Sequence, residues 1–251
     1  MIKRLTAIAA ALAIMVGCAE KGSLKTEHFE SYFEQGITED SDDTISILVE
    51  LEYPVAGASP EVLTKIRNTI LGYSSAKETI NIEDAVNRYI KTRYENYVET
   101  NLPLYEEMQR EGDSYSLDWD DYIEGYFVGQ YGDIVSYRLD TYSYSGGAHG
   151  SSGVNCINID LNTGNRVKDH DIFAQGFETR LGEILSKHLC DSFDRDKDRG
   201  SLFVTEIMPS ANYCMTSKGI DYFYEEYEVG PAYMGCVKVH VPWSELTDIM
   251  K

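Results

Sequence analysis

Thr44-Ile45-Ser46-Ile47-Leu48-Val49-Glu50-Leu51-Glu52-Tyr53 sets the reading of the chain. Ile45, Ile47, Val49, Leu51 and Tyr53 share one parity, and Ser46, Leu48, Glu50 and Glu52 the other. Side chains of an extended segment alternate between two faces, so this is a strand with one well-buried face. Pro54 has no N–H to donate to a ladder and is expected to end it. Ser59-Pro60 then opens a helix, with Ser as N-cap and Pro at the first helical position, where a missing N–H is tolerated. Val62, Ile66 and Ile70 make its apolar stripe. A second helix starts near Asn81, with Asp84 three residues on standing in for the glutamate of a capping box. Ile82, Val86, Tyr89, Ile90, Tyr94 and Tyr97 recur at helical spacing, and Pro103 should end or kink the helix.

Farther along, Tyr115 to Tyr144 is rich in aromatic and β-branched residues, with Gly129-Gln130-Tyr131-Gly132-Asp133 as a hairpin turn. A strand from Val154 to Leu161 turns at Asn162-Thr163-Gly164. A short helix near Asp171 to Phe173 and a longer one carrying Phe177, Leu181, Ile184, Leu185 and Leu189 follow. Strands return around Tyr213, from Tyr222 to Tyr227 and from Cys236 to Val241, and Pro242-Trp243 leads into a short terminal helix. The expected class is α+β, an antiparallel sheet with helices packed on one face, arranged as two consecutive small α+β units, 44–150 and 151–251.

Upstream of Thr44, Lys3 and Arg4 precede an apolar run from Leu5 to Val16 that ends in Gly17-Cys18. This is the layout of a secretory signal, too short for an ordinary membrane span. The glycine before Cys18 resembles the lipobox read by the lipoprotein signal peptidase, although Met15 stands where Leu, Val or Ile is usual. The expectation is a signal over 1–17, lipid on Cys18, and a flexible tether over 18–43 that is polar, acidic and aperiodic. The chain is then exported and held by acyl chains to an envelope membrane, the outer membrane foremost. The alternative is a plain signal peptide with an incidental cysteine.

The net charge of −20 makes nucleic acid a poor partner and suits a cationic protein, though the acid can also serve solubility alone. Beyond Cys18 stand Cys156, Cys190, Cys214 and Cys236, which allow two disulfides or buried free thiols. Cys156 and Cys236 lie on the non-core faces of their strands and are the expected pair if a single bridge forms.

No catalytic constellation stands out. The histidines, His28, His149, His170, His188 and His240, show no spacing that sets two imidazoles on one helical face, so neither a metal nor another cofactor is expected. Asp194, Asp196 and Asp198 fit the first positions of a calcium loop, but Gly200 and Glu206 fall one place late, so a solvated acidic turn is favoured. The distinctive string is Tyr142-Ser143-Tyr144-Ser145-Gly146-Gly147-Ala148-His149-Gly150. Glycines let backbone approach a partner, which makes Tyr144, Gly146, Gly147 and His149 ligand-contact candidates; a turn locked by His149 is the alternative. A loop at Gly230-Pro231-Ala232-Tyr233 presents Pro231 and Tyr233 in the same manner.

The order of Gly146-Gly147-Ala148-His149-Gly150, Asp160-Leu161-Asn162-Thr163-Gly164, Asp171-Ile172-Phe173, Gly219-Ile220, Tyr227-Glu228-Val229-Gly230-Pro231 and Val241-Pro242-Trp243-Ser244-Glu245-Leu246 resembles the domain of unknown function 3298. The preceding strand and helices resemble the PdaC-like domain that commonly comes before it. Members of this pairing occur outside the membrane in a lysozyme-sensing anti-sigma factor and beside peptidoglycan deacetylases. The resemblance implies a non-catalytic envelope module that binds a lysozyme-like cationic protein or a peptidoglycan fragment. A hydrolase acting on cell-wall glycan is the competing expectation, favoured by two close carboxylates in a cleft.

Overall fold

The structure, a computed structural model, describes residues 24–112, 115–189, 192–193 and 196–251, without the side chains of 196 and 197. The signal region, Cys18, Cys190 and Asp194 lie outside the described residues.

Two sheets carry the fold. The first has five strands in the order β1-β2-β3-β4-β5: Lys25–Gly36, Thr44–Ala56, Trp119–Tyr131, Ile134–Tyr144 and Ser151–Asp160. The second has three: β6 (Tyr213–Met215), β7 (Gly219–Tyr224) and β8 (Val237–Pro242), antiparallel throughout. Five helices accompany them among the described residues: α1 (Pro60–Ile70), α2 (Ile82–Glu111), α3 (Asp169–Ile172), α4 (Phe177–Leu189) and α5 (Asp196–Arg199). The class is α+β, as the sequence indicates.

Compactness divides the chain into two units. One comprises the segments up to Gly57, Arg67–Gly125 and Thr141–Ser151; the other comprises Ala58–Ile66, Tyr126–Asp140 and Ser152–Lys251. The units therefore interleave in sequence, because the tip of the β3–β4 hairpin joins the second.

In the first unit, Ile45, Ile47, Val49 and Leu51 are buried as the alternation requires, and α2 brings Ala85, Val86, Ile90 and Tyr97 to the core. Tyr97 meets Trp119 edge to face, with ring centroids 5.5 Å apart. The helix starts are those read from sequence: Ser59 Oγ accepts from Val62 N–H, and Asn81 Oδ1 accepts from Asp84 N–H at 3.0 Å.

Four expectations are corrected. Residues 25–36 of the expected tether form β1, paired antiparallel with β2 over its whole length. Only Phe29 and Phe33 are large apolar residues on its inward parity, which is why the strand period is faint. Pro54 does not end β2; it pairs with Thr26 next to a register shift, beyond the last β2–β3 pair at Leu51 and Gly125, where a missing donor breaks no second ladder. Pro103 does not end α2: it lies inside the helix on its exposed face, and the helix runs on to Glu111. Finally, β2 and β3 run parallel, Ile45 beside Trp119, since the α1–α2 connection is long enough for a crossover.

The second unit packs α4 through Leu181, Ile184, Leu185 and Leu189 against β8 residues Val237, Val239 and Val241 and β7 residues Ile220 and Tyr222. Ser136 of β4 and Asn158 of β5 reach Met215 of β6: Ser136 Oγ accepts from Met215 N–H at 2.7 Å, and Asn158 donates to the Tyr213 carbonyl at 2.8 Å. Buried polar groups satisfied on both sides fix register as well as position.

Candidate functional site

The β4–β5 connection places the first candidate group. Tyr144 closes β4, and Gly146 and Gly147 follow with φ of 90° and 94°, a region L-residues avoid. The Tyr144 hydroxyl donates to the Gly147 carbonyl at 3.1 Å, and His149 Nδ1 donates to the Gly150 carbonyl at 3.0 Å. A Cβ on Gly150 would stand 2.5 Å from the Tyr142 ring, so the glycine lets that ring close over the backbone. The loop is thus internally tied, yet Gly146, Gly147 and His149 remain exposed. His149 is tied to the turn by this bond and is exposed to solvent.

The β7–β8 connection places the second group. Pro231 precedes a single 3₁₀ turn, Ala232–Met234, closed by Gly235 N–H donating to the Ala232 carbonyl at 2.9 Å. Tyr233 projects from this turn and is 63% exposed. Tyr227, six residues earlier, is 58% exposed and has φ of 66°, the one positive φ at a non-glycine among the described residues. The strand expected to run to Tyr227 ends at Tyr224, and the strain at Tyr227 has no signature in composition. Glu226 of the same connection accepts from Ser152 N–H at 3.1 Å, which ties it to the start of β5.

A further cleft of about 400 Å³ is lined by Lys168, Asp169, His170, Phe177, Glu178, Met208 and Pro209. Burial raises the Asp169 carboxyl, and the charge of Glu178 adds to that, while Tyr213 and His170 act the other way. The sequence gives no sign of this cleft, because its lining comes from α3, α4 and a loop thirty residues on, none with a motif of its own.

Cys156 bridges Cys214 with Cα atoms 5.6 Å apart, not Cys236 as expected. Asn212 is the reason: its Oδ1 accepts from Cys156 N–H at 2.8 Å and its Nδ2 donates to the Val154 carbonyl at 2.6 Å, which lays residues 212–214 along β5. Cys236 packs beside the bridge among Val154 and Phe223, and burial pushes its thiol up to about 12. In the acidic 194–200 segment, the backbone of Asp196–Arg199 is helical. Among the described residues, one group of side chains converges closely enough to hold a metal ion: His28, Glu30 and Glu50.

Residues 38–152 match the family model described as Deacetylase PdaC, and residues 170–244 match that of a protein of unknown function, DUF3298. No curated protein matches the chain. Among solved structures, a DUF3298-family member from Bacteroides fragilis superposes with a TM-score of 0.80 at 19% identity, covering 93% of this chain and 96% of that one. A DUF3298-family protein from Pseudomonas aeruginosa gives 0.61 at 16% identity, covering 92% and 96%. These likenesses establish the fold, and a PdaC segment followed by a DUF3298 segment fits a cell-envelope or polysaccharide-related module.

Proposed function

From a PdaC segment followed by a DUF3298 segment, we propose a non-catalytic binding module of the cell envelope, lipid-anchored at Cys18, that recognises a cationic protein of the lysozyme kind. The observation carrying the reading is the β7–β8 connection, which holds Tyr227 and Tyr233 each more than half exposed on one short segment. Tyrosine supplies large contact area at low entropic cost, and a ring kept out of the core on a strained backbone is suited to a partner. The exposed Tyr144–His149 loop offers further backbone and imidazole groups. A net charge of −20 favours encounter with a cationic protein.

The test is binding of the full chain to a panel of lysozymes and muropeptides. Tyr233→Ala should weaken binding by about 1–2 kcal/mol and leave the melting temperature nearly unchanged. Binding to muropeptides alone would make the ligand a cell-wall glycan. A second reading, hydrolysis of such glycan, draws on Asp169 and Glu178 sharing one cleft, with Asp169 raised as a general acid requires. Steady turnover of any glycan in the panel, abolished by Asp169→Asn, would replace the binding reading.

A further inference from the structure

The outer face of the first sheet gathers charge in an unusual way. β1, β2 and β3 align Glu30 with Glu50 and Glu50 with Glu124, so three carboxylates share one row across three strands. Like charges directly opposite one another on a sheet are destabilising. His28 lies two residues before Glu30 on the same face of β1, and its Nε2 stands 3.7 Å from Glu50 Oε1. One donor atom each from His28, Glu30 and Glu50 all fall within 4.8 Å of one another. Ligands at roughly 2.1 Å from a tetrahedral ion lie about 3.4 Å apart, so these atoms need only small side-chain adjustments to close on one centre. The other oxygen of Glu50, Oε2, accepts from the Tyr122 hydroxyl at 2.9 Å, an outer partner that orients the carboxylate and leaves Oε1 toward His28.

We propose that His28, Glu30 and Glu50 bind a divalent cation of the zinc class, with solvent completing its shell. The donor set carries the choice of ion. Imidazole nitrogen with carboxylate oxygen suits zinc and its transition-metal neighbours, whereas calcium and magnesium take oxygen shells. The ion would also neutralise the Glu30–Glu50 apposition, tying the edge strand β1 to β2 through side chains as well as backbone. This inference does not depend on the proposed ligand or on the tyrosine loops.

Titration of the chelator-stripped full chain with zinc chloride, followed by calorimetry, tests it. One zinc per chain should bind saturably, and more weakly in acid, because protons compete with the metal for its ligands. His28→Ala and Glu30→Gln should each lower affinity at least about tenfold, and Tyr122→Phe about tenfold through lost orientation. His28 is half exposed, so His28→Ala should keep the wild-type circular dichroism and melting curve in chelator, and Glu30→Gln should melt no lower than wild type because it relieves the Glu30–Glu50 repulsion. Calcium at the same concentration should not compete. Absence of saturable binding overturns the proposal, as does undiminished binding in the His28→Ala/Glu30→Gln double variant. A cobalt-substituted spectrum with a thiolate charge-transfer band would overturn it too, because the ion would then sit on a cysteine.

Discussion

Tyr227 combines an exposed ring with a backbone conformation that disfavours it. An L-residue in the left-handed region costs about 1–2 kcal/mol, and glycine there escapes the steric part at the expense of some unfolded-state entropy. Tyr227→Gly should therefore raise the unfolding free energy by about 0.5–1 kcal/mol, read as a higher denaturant midpoint, while Tyr227→Ala should not. Both should weaken partner binding if the ring is an anchor. Asp169 makes a prediction in pH. Its folded-state carboxyl titrates above the ordinary 3.8, mainly through burial. The folded protein thus holds the proton more tightly than the unfolded chain, so this group's contribution to stability falls as pH rises from 3.8 through the folded-state value. Asp169→Asn has no such group. Its melting temperature should gain on wild type across that window and keep the advantage at neutral pH, while the two converge in acid.

At the level of elements, what could be read from sequence was local. Ser59-Pro60, Asn81 with Asp84, and the Ile45-to-Leu51 alternation announce themselves within a few residues, and each is seen where expected. What escaped depends on distant partners. β1 became visible only through β2, and with it His28, Glu30 and Glu50, which are spread over a supposed tether and a strand. The parallel β2–β3 pairing and the Cys156–Cys214 bridge likewise depend on strand order, which periodicity does not encode. That bridge closes a loop with a sequence separation of 58, so its loss should be costly. Cys214→Ser should lower stability by about 2–4 kcal/mol in urea unfolding. Iodoacetamide should label Cys236 slowly at pH 8 in the folded chain, since its thiol is held up to about 12, and rapidly once the chain is unfolded.

Across the whole molecule, charge sets the conditions for any encounter, and the proposed anchor would add to them. With a net charge of −20, affinity for a cationic protein should fall as sodium chloride rises from low to physiological concentration, measured with the same lysozyme panel. A salt-independent affinity would point to a neutral glycan. Mass spectrometry of the membrane fraction should find Cys18 as an acylated N-terminus; an unmodified full-length chain in the soluble fraction would remove the anchor from the proposal. The crossover between β2 and β3 also imposes an order in time. The β1–β2 hairpin can zip as soon as its short turn forms, but the other edge of β2 must wait for α1, α2 and Trp119 to arrive. Loop-closure entropy makes such distant pairings late. Through that interval a strand whose core parity reads Ile45, Ile47, Val49 and Leu51 has an unpaired edge. The newly made chain is thus most prone to self-association before the crossover closes, and a holding chaperone would have its greatest effect in that interval.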